Sequence, residues 1–169
     1  MIDETGLMPI PGTAGPGLAT DIEDEALATA ARARYRTFGM VRIEPDGGMS
    51  AALWADEHLL AVRQAASVER PSRDARSAQS GRLAITTRRV LLVDAEPVTL
   101  ASLEELDDVA LVSDRLLVTL TSGTGFTIKV PHPRLLRVVL AEARASRLDA
   151  QVEASSKPAS ELPAEAPRR

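Results

Sequence analysis

The stretch Gly81-Arg82-Leu83-Ala84-Ile85-Thr86-Thr87-Arg88-Arg89-Val90-Leu91-Leu92-Val93 holds two aliphatic runs on either side of a polar step. Residues 83–86 and 90–94 flank Thr87-Arg88-Arg89 as two strands flank a tight hairpin turn. Strand patterning stays dense downstream. Residues 98–100 follow Pro97 as a short strand, residues 106–112 form another, and residues 116–120 and 126–130 pair across Ser122-Gly123-Thr124-Gly125. Leu, Ile and Val make up 24 of the 59 residues from 82 to 140. That is enough for a compact barrel core in a chain whose aromatics are limited to Tyr35, Phe38, Trp54 and Phe126.

Pro131-His132-Pro133 then opens a helix, with Pro133 at a favourable first-turn position. Leu136, Val139, Leu140 and Ala143 make an apolar stripe with Leu135 and Val138 at its edges, while Arg134, Arg137, Ala141 and Arg144 take the other face. Such a stripe needs an apolar surface to cover, and the open end of the sheet offers one.

Upstream of the hairpin, residues 69–81 carry no large apolar side chain and read as a mobile loop, preceded by a strand over 59–68. A helix is expected between Thr20 and Phe38. Thr20 and Glu23 have capping-box spacing, acidic residues fill the first turn, and Arg32, Arg34 and Arg36 suit the negative end of the dipole. Leu27, Ala31, Tyr35 and Phe38 give that helix one narrow apolar stripe. Gly39 ends it. A second hairpin is expected over 40–53, turning at Pro45-Asp46-Gly47-Gly48, with Met49, Ala51 and Leu53 on one face of the return strand.

The order of elements and the residues together resemble GRAM and bacterial pleckstrin-homology-like domains. Gly81, Leu83, Ile85, Thr86, Arg89 and Val90 match that family's "G-x-L-x-(L/I)-T-x-x-R-(L/V)" hairpin. Residues 56–62, Asp-Glu-His-Leu-Leu-Ala-Val, are similar to its opening strand, and residues 98–106 to its strand, helical turn, strand connection. The resemblance covers about residues 56–147. It implies an α+β fold: a seven-stranded, partly open barrel with a C-terminal capping helix, here with an added N-terminal helix and hairpin. The strands lack the aromatics common in the family. The expected organisation is a disordered tail over 1–20, the helix and hairpin over 21–55, the pleckstrin-homology-like domain over 56–147, and a second disordered tail over 148–169.

Composition narrows the function classes. The chain has no Cys, which removes thiol chemistry and disulfides, and its formal net charge of −4 opposes general nucleic-acid binding. Of 20 basic residues only Lys129 and Lys157 are Lys, and with abundant Ala the composition looks like that of a GC-rich genome, for which an actinobacterial source is the expectation. Neither a secretory signal nor an apolar run of membrane-spanning length is evident, so a cytoplasmic location is expected.

The chemical motifs are equally sparse. His58 and His132 lie in different elements, and no metal or other cofactor is expected. Asp21, Glu23 and Glu25 mimic the first spacings of a calcium loop, but Ala26 stands where its glycine belongs. Glu104-Glu105 and Asp107-Asp108 would point apart along an extended chain. Gly123-Thr124-Gly125 lacks the Lys and the following helix of a nucleotide loop. The expectation is a non-enzymatic protein-interaction or scaffold module that engages a protein partner through a sheet edge or the groove beside the last helix.

The alternative is a peripheral module at the inner face of the membrane, in weak contact with anionic lipid. In phosphoinositide-binding members of the family the loop between the first two barrel strands supplies cations to the headgroup. Carried over, that role falls to Arg70, Arg73, Arg76 and Arg82. Glu69 and Asp74 leave the loop a net charge of +2, which a solvated loop of mixed charge would show equally.

Overall fold

The computed structural model describes residues 16–70 and 77–156. Helix α1 (Pro16–Phe38) and a short helix α2 (Gly47–Ala52) precede strands β1 (Leu59–Arg70), β2 (Ser77–Thr86), β3 (Arg89–Val93), β4 (Pro97–Ser102), β5 (Leu106–Val112), β6 (Arg115–Leu120) and β7 (Gly125–Lys129), and helix α3 (Pro133–Ser156) follows them. The strands form one antiparallel sheet in the order β4-β3-β2-β1-β7-β6-β5. β1 joins the two halves. It pairs with β2 along its length and with β7 through Ser67, Val68 and Glu69. Register shifts between Leu59 and Ala61 and between Arg63 and Ala66 let it bend. The sheet therefore curls into a partly open barrel with β4 and β5 as its two end strands. Seven strands in this order with a C-terminal helix are the architecture that the resemblance implied.

The core is aliphatic. Leu83, Ile85, Leu116, Val118 and Ile128 from the sheet meet Leu136, Val139, Leu140 and Ala143 of α3, each at most 1% exposed. The stripe expected on α3 thus covers the barrel, and Val138 is buried as well. Phe126 is the one aromatic that the core buries.

The N-terminal part departs from the sequence reading in three ways. Helix α1 begins at Pro16, so Thr20 lies inside it and does not cap it, and residues 16–20 of the expected tail are helical. Its buried face is also rotated. Asp24 and Ala28 are buried and Ala31 and Tyr35 half-buried, whereas Leu27 is 39% and Phe38 75% exposed. The face at 24, 28, 31 and 35 packs on α3, where small Ala side chains let the helices approach. Finally, the hairpin over 40–53 is absent. Ile43 makes a single bridge to Leu59, and residues 47–52 form α2 instead of a return strand. The Asp46 carboxylate accepts the Met49 N–H at 2.9 Å, capping a helical turn, and burial falls on Met49 and Ala52 at i, i+3 while Ala51 is exposed.

Two other boundaries differ. β1 extends to Arg70 and β2 begins at Ser77, which shortens the expected 69–81 loop to residues 71–76, outside the described residues. Helix α3 continues to Ser156, well into the expected C-terminal tail. The rest of both expected tails, residues 1–15 and 157–169, is outside the described residues.

Candidate functional site

The residues that carry the family resemblance build a buried ion pair. Glu57 and Arg89 are 4% and 7% exposed. Arg89 Nε donates to Glu57 Oε1 at 2.9 Å and Nη2 to Oε2 at 2.9 Å, a two-pronged contact. Thr86 Oγ1 donates to Glu57 at 2.6 Å, the Trp54 N–H donates at 3.0 Å, and Arg89 also reaches Thr99 Oγ1 and the Ala52 carbonyl. The Trp54 ring lies over the guanidinium, 3.7 Å from its carbon to the ring centre. Burial opposes ionisation of Glu57, but the hydrogen bonds from Arg89, Thr86 and Trp54 outweigh it and hold the carboxyl below its usual range. With its groups paired, this network is a staple between the 46–57 segment and the β2–β3 hairpin.

The antiparallel order puts the end of β1, the 94–96 turn and the 121–124 turn at one rim of the barrel, its open mouth. A cavity of about 440 Å³ lies beside this rim on the outer face of β6 and β7, with Arg70, Arg115, Thr119, Thr124 and Phe126 among its lining. Arg70 continues the inward face of Ala66 and Val68. Its Nη2 donates to the carbonyls of Thr99 at 3.0 Å and Leu100 at 3.1 Å, and its guanidinium carbon sits 6.0 Å from the Phe126 ring centre. Arg70 thus ties β1 to β4 across the mouth. Arg115 pairs with Glu69 at 2.9 Å. Asp94 and Glu96 are exposed on the neighbouring turn.

Of the four cations carried over from the lipid-binding pattern, Arg73 and Arg76 lie outside the described residues. Arg82 does not join Arg70. It is five residues along β2 from Ser77, the partner of Arg70, a distance of about 17 Å on an extended strand. There it pairs with Asp46, whose carboxyl that hydrogen bond keeps below its usual range. Arg115 joins Arg70 in place of Arg82, a meeting that their separation of 45 positions hid from the sequence.

At the other end of the sheet, β5 pairs with β6 alone among the described strands. It runs beside α3, and a groove of about 160 Å³ between them is lined by Leu106, Asp107, Asp108 and Val109 on the strand and Arg137, Leu140, Ala141 and Arg144 on the helix. Arg144 Nη1 donates to the Asp107 carbonyl at 3.1 Å, occupying the start of the edge. Beyond it Val109, Ala110 and Leu111 are half-buried and Val112 is 54% exposed. The opposite edge is less open. β4 begins with Pro97, which has no N–H, and the carbonyls of Thr99 and Leu100 accept from Arg70.

A further cavity, of about 370 Å³, lies where the 40–42 strap, the start of β1, the β2–β3 turn and α3 meet. Arg42, His58, Thr87, Arg88, Ser146 and Arg147 line it with Met40, Leu60 and Asp56. No local motif in the sequence signals it, because its cations come from positions 42, 88 and 147. Among the described residues no group of three His, Asp or Glu side chains is placed to hold a metal ion.

No protein-family model matches the chain, and no curated protein is similar to it. Among solved structures, the chain is similar to the Vps36 N-terminal PH domain, with a TM-score of 0.48 and 19% identity over 57% of this chain and 86% of that one.

Proposed function

We propose that the chain is a non-enzymatic interaction module that takes an extended segment of a partner protein onto β5, in the groove beside α3. The observation that carries this reading is the β5 edge, an end strand with its outer side unpaired from Val109 to Val112 among the described residues. A peptide added there gains main-chain hydrogen bonds along the strand, and alternate side chains drop towards α3, which supplies selectivity. Exposed Asp107 and Asp108 favour a basic residue at one end of the segment, and exposed Arg137 an acidic one at the other side of the groove. In this reading the module works in the cytoplasm. The resemblance of residues 81–93 to the GRAM hairpin is what supports reading the chain as a member of that branch of pleckstrin-homology-like domains.

Peptides selected from a random library against the full chain test this. Their affinity should fall about tenfold or more in Val112→Asp and in Arg137→Glu, both changes at exposed positions, and stay unchanged in Arg70→Gln. Affinities indifferent to the first two changes would remove β5 as the site.

The second reading is attachment to anionic lipid at the inner membrane face through Arg70, Arg73, Arg76 and Arg82. The cavity beside the mouth, with Arg70 and Arg115 on its wall, favours it. The engagement of Arg70 by backbone carbonyls and of Arg82 by Asp46 ranks it second. Strong sedimentation with anionic liposomes at physiological salt, abolished by an Arg70, Arg73 and Arg76→Glu triple variant, would reverse that order.

A further inference from the structure

We propose that the cavity between the 40–42 strap, the β2–β3 turn and α3 is a binding site for a phosphate monoester. Three guanidinium groups reach it from three separate elements: Arg42 from the strap, Arg88 from the turn and Arg147 from α3. Asp56 is the one acid on its wall.

Two of the cations are held in place by acids, Arg147 from outside the cavity lining and Arg88 by Asp56 on the wall itself. Arg147 gives its Nε and Nη2 to Glu104 Oε1 at 2.8 and 2.7 Å, and Arg88 gives its Nη2 to Asp56. Each keeps further N–H donors for a ligand. Arg42 is exposed and makes no ion pair among the described residues. Thr87 is fixed by a reciprocal pair of bonds with His58: its N–H donates to the His58 carbonyl at 2.9 Å, and its hydroxyl oxygen accepts the His58 N–H at 3.1 Å. The hydroxyl proton of Thr87 therefore has no acceptor among the described residues and is available to an anion.

The chemistry selects the ligand class. A carboxylate has two oxygens, whereas a phosphate monoester presents three to three guanidinium groups, and arginine matches such oxyanions with paired donors. The volume of about 370 Å³ exceeds what phosphate alone fills and leaves room for a small organic group against Met40 and Leu60. The cavity shares no lining residue with the β5 groove, so this inference stands apart from the peptide-binding reading.

The experiment titrates the isotopically labelled full chain with sn-glycerol 3-phosphate, using glycerol as the control, and measures sedimentation with phosphatidic acid vesicles against phosphatidylcholine vesicles. Saturable amide shifts confined to residues 42, 58, 87, 88, 146 and 147 are expected with the phosphate and not with glycerol. Affinity should fall about tenfold or more in Arg42→Gln, a change at an exposed position that leaves folding intact, and further when Arg147→Gln is added. Binding to the soluble phosphate without vesicle binding identifies a soluble metabolite. Vesicle binding lost in Arg42→Gln identifies a lipid headgroup of the same chemistry. Shifts that do not saturate with either probe, or binding that Arg42→Gln leaves unchanged, would overturn the proposal.

Discussion

The Asp24 carboxylate of α1 accepts the backbone N–H of Leu135 at 3.0 Å, and its second oxygen accepts that of Arg134 at 2.7 Å. Both are first-turn amides of α3, which its own residues cannot satisfy, and Pro133 before them has no N–H to satisfy. A carboxylate here also meets the positive end of the α3 dipole. The N-terminal helix is thus the cap of the helix that closes the barrel. Asp24→Ala should destabilise the chain by about 1–2 kcal/mol and speed exchange of the Arg134 and Leu135 amides. Denaturant unfolding and amide exchange check this, and unchanged exchange at those two amides would contradict it.

The Glu57–Arg89 pair should show the asymmetry of buried ions. Removing one partner leaves the other charge without its match, so Arg89→Ala or Glu57→Ala should each cost about 3–5 kcal/mol. The double variant Glu57→Leu with Arg89→Met should cost far less than the sum of the single changes. Denaturant midpoints of the four chains supply the measurement, and simple additivity would show that the pair is not coupled.

The same pair sets an acid limit. The folded-state pKa of Glu57 lies below its ordinary value of 4.5, so on acidification the unfolded chain takes up the proton first. The stability it contributes is complete above about pH 4.5 and is lost as pH falls through the folded value. Asp46, Glu105 and Asp114 are lowered too and act in the same direction. Unfolding free energy followed from pH 7 to pH 3 should drop on the acid side. In Glu57→Gln that drop should be shallower, though not absent. An identical slope in both chains would contradict this account of Glu57.

How far the sequence showed the fold depended on where the determining contacts lie. The β2–β3 hairpin and the α3 stripe were legible because their signals are local: runs of aliphatic residues, and Leu136, Val139, Leu140 and Ala143 at helical spacing. The α1 face was misjudged by one position because its key residue, Asp24, is a buried acid, which apolar periodicity counts as surface. The 40–53 hairpin failed at Asp46. Pro45-Asp46-Gly47-Gly48 suits a turn and a helix start equally, and the Asp46 cap and the burial of Met49 against the sheet decided for the helix. Thr86 and Arg89 were visible as a motif, but not the reason for it, since Glu57 lies 32 residues away from Arg89. The cavity cations at 42, 88 and 147 meet only through the fold.

Gly81 is required by a close approach. A Cβ there would lie 2.8 Å from the Val93 carbonyl oxygen, a backbone atom that cannot yield without disturbing the β2–β3 ladder. Gly81→Ala should cost about 1–3 kcal/mol. Thermal unfolding checks it, and a neutral or stabilising result would show that the two strands separate more easily than the structure indicates.

The central claim, that β5 receives an extended partner segment, is tested most directly by amide exchange of the full chain with and without a library-selected peptide. The account predicts slowed exchange in β5 from Val109 to Val112 and in the facing turns of α3, with β4 unchanged. Protection confined to the barrel mouth around Arg70 and Arg115, with β5 exchanging as before, would contradict it.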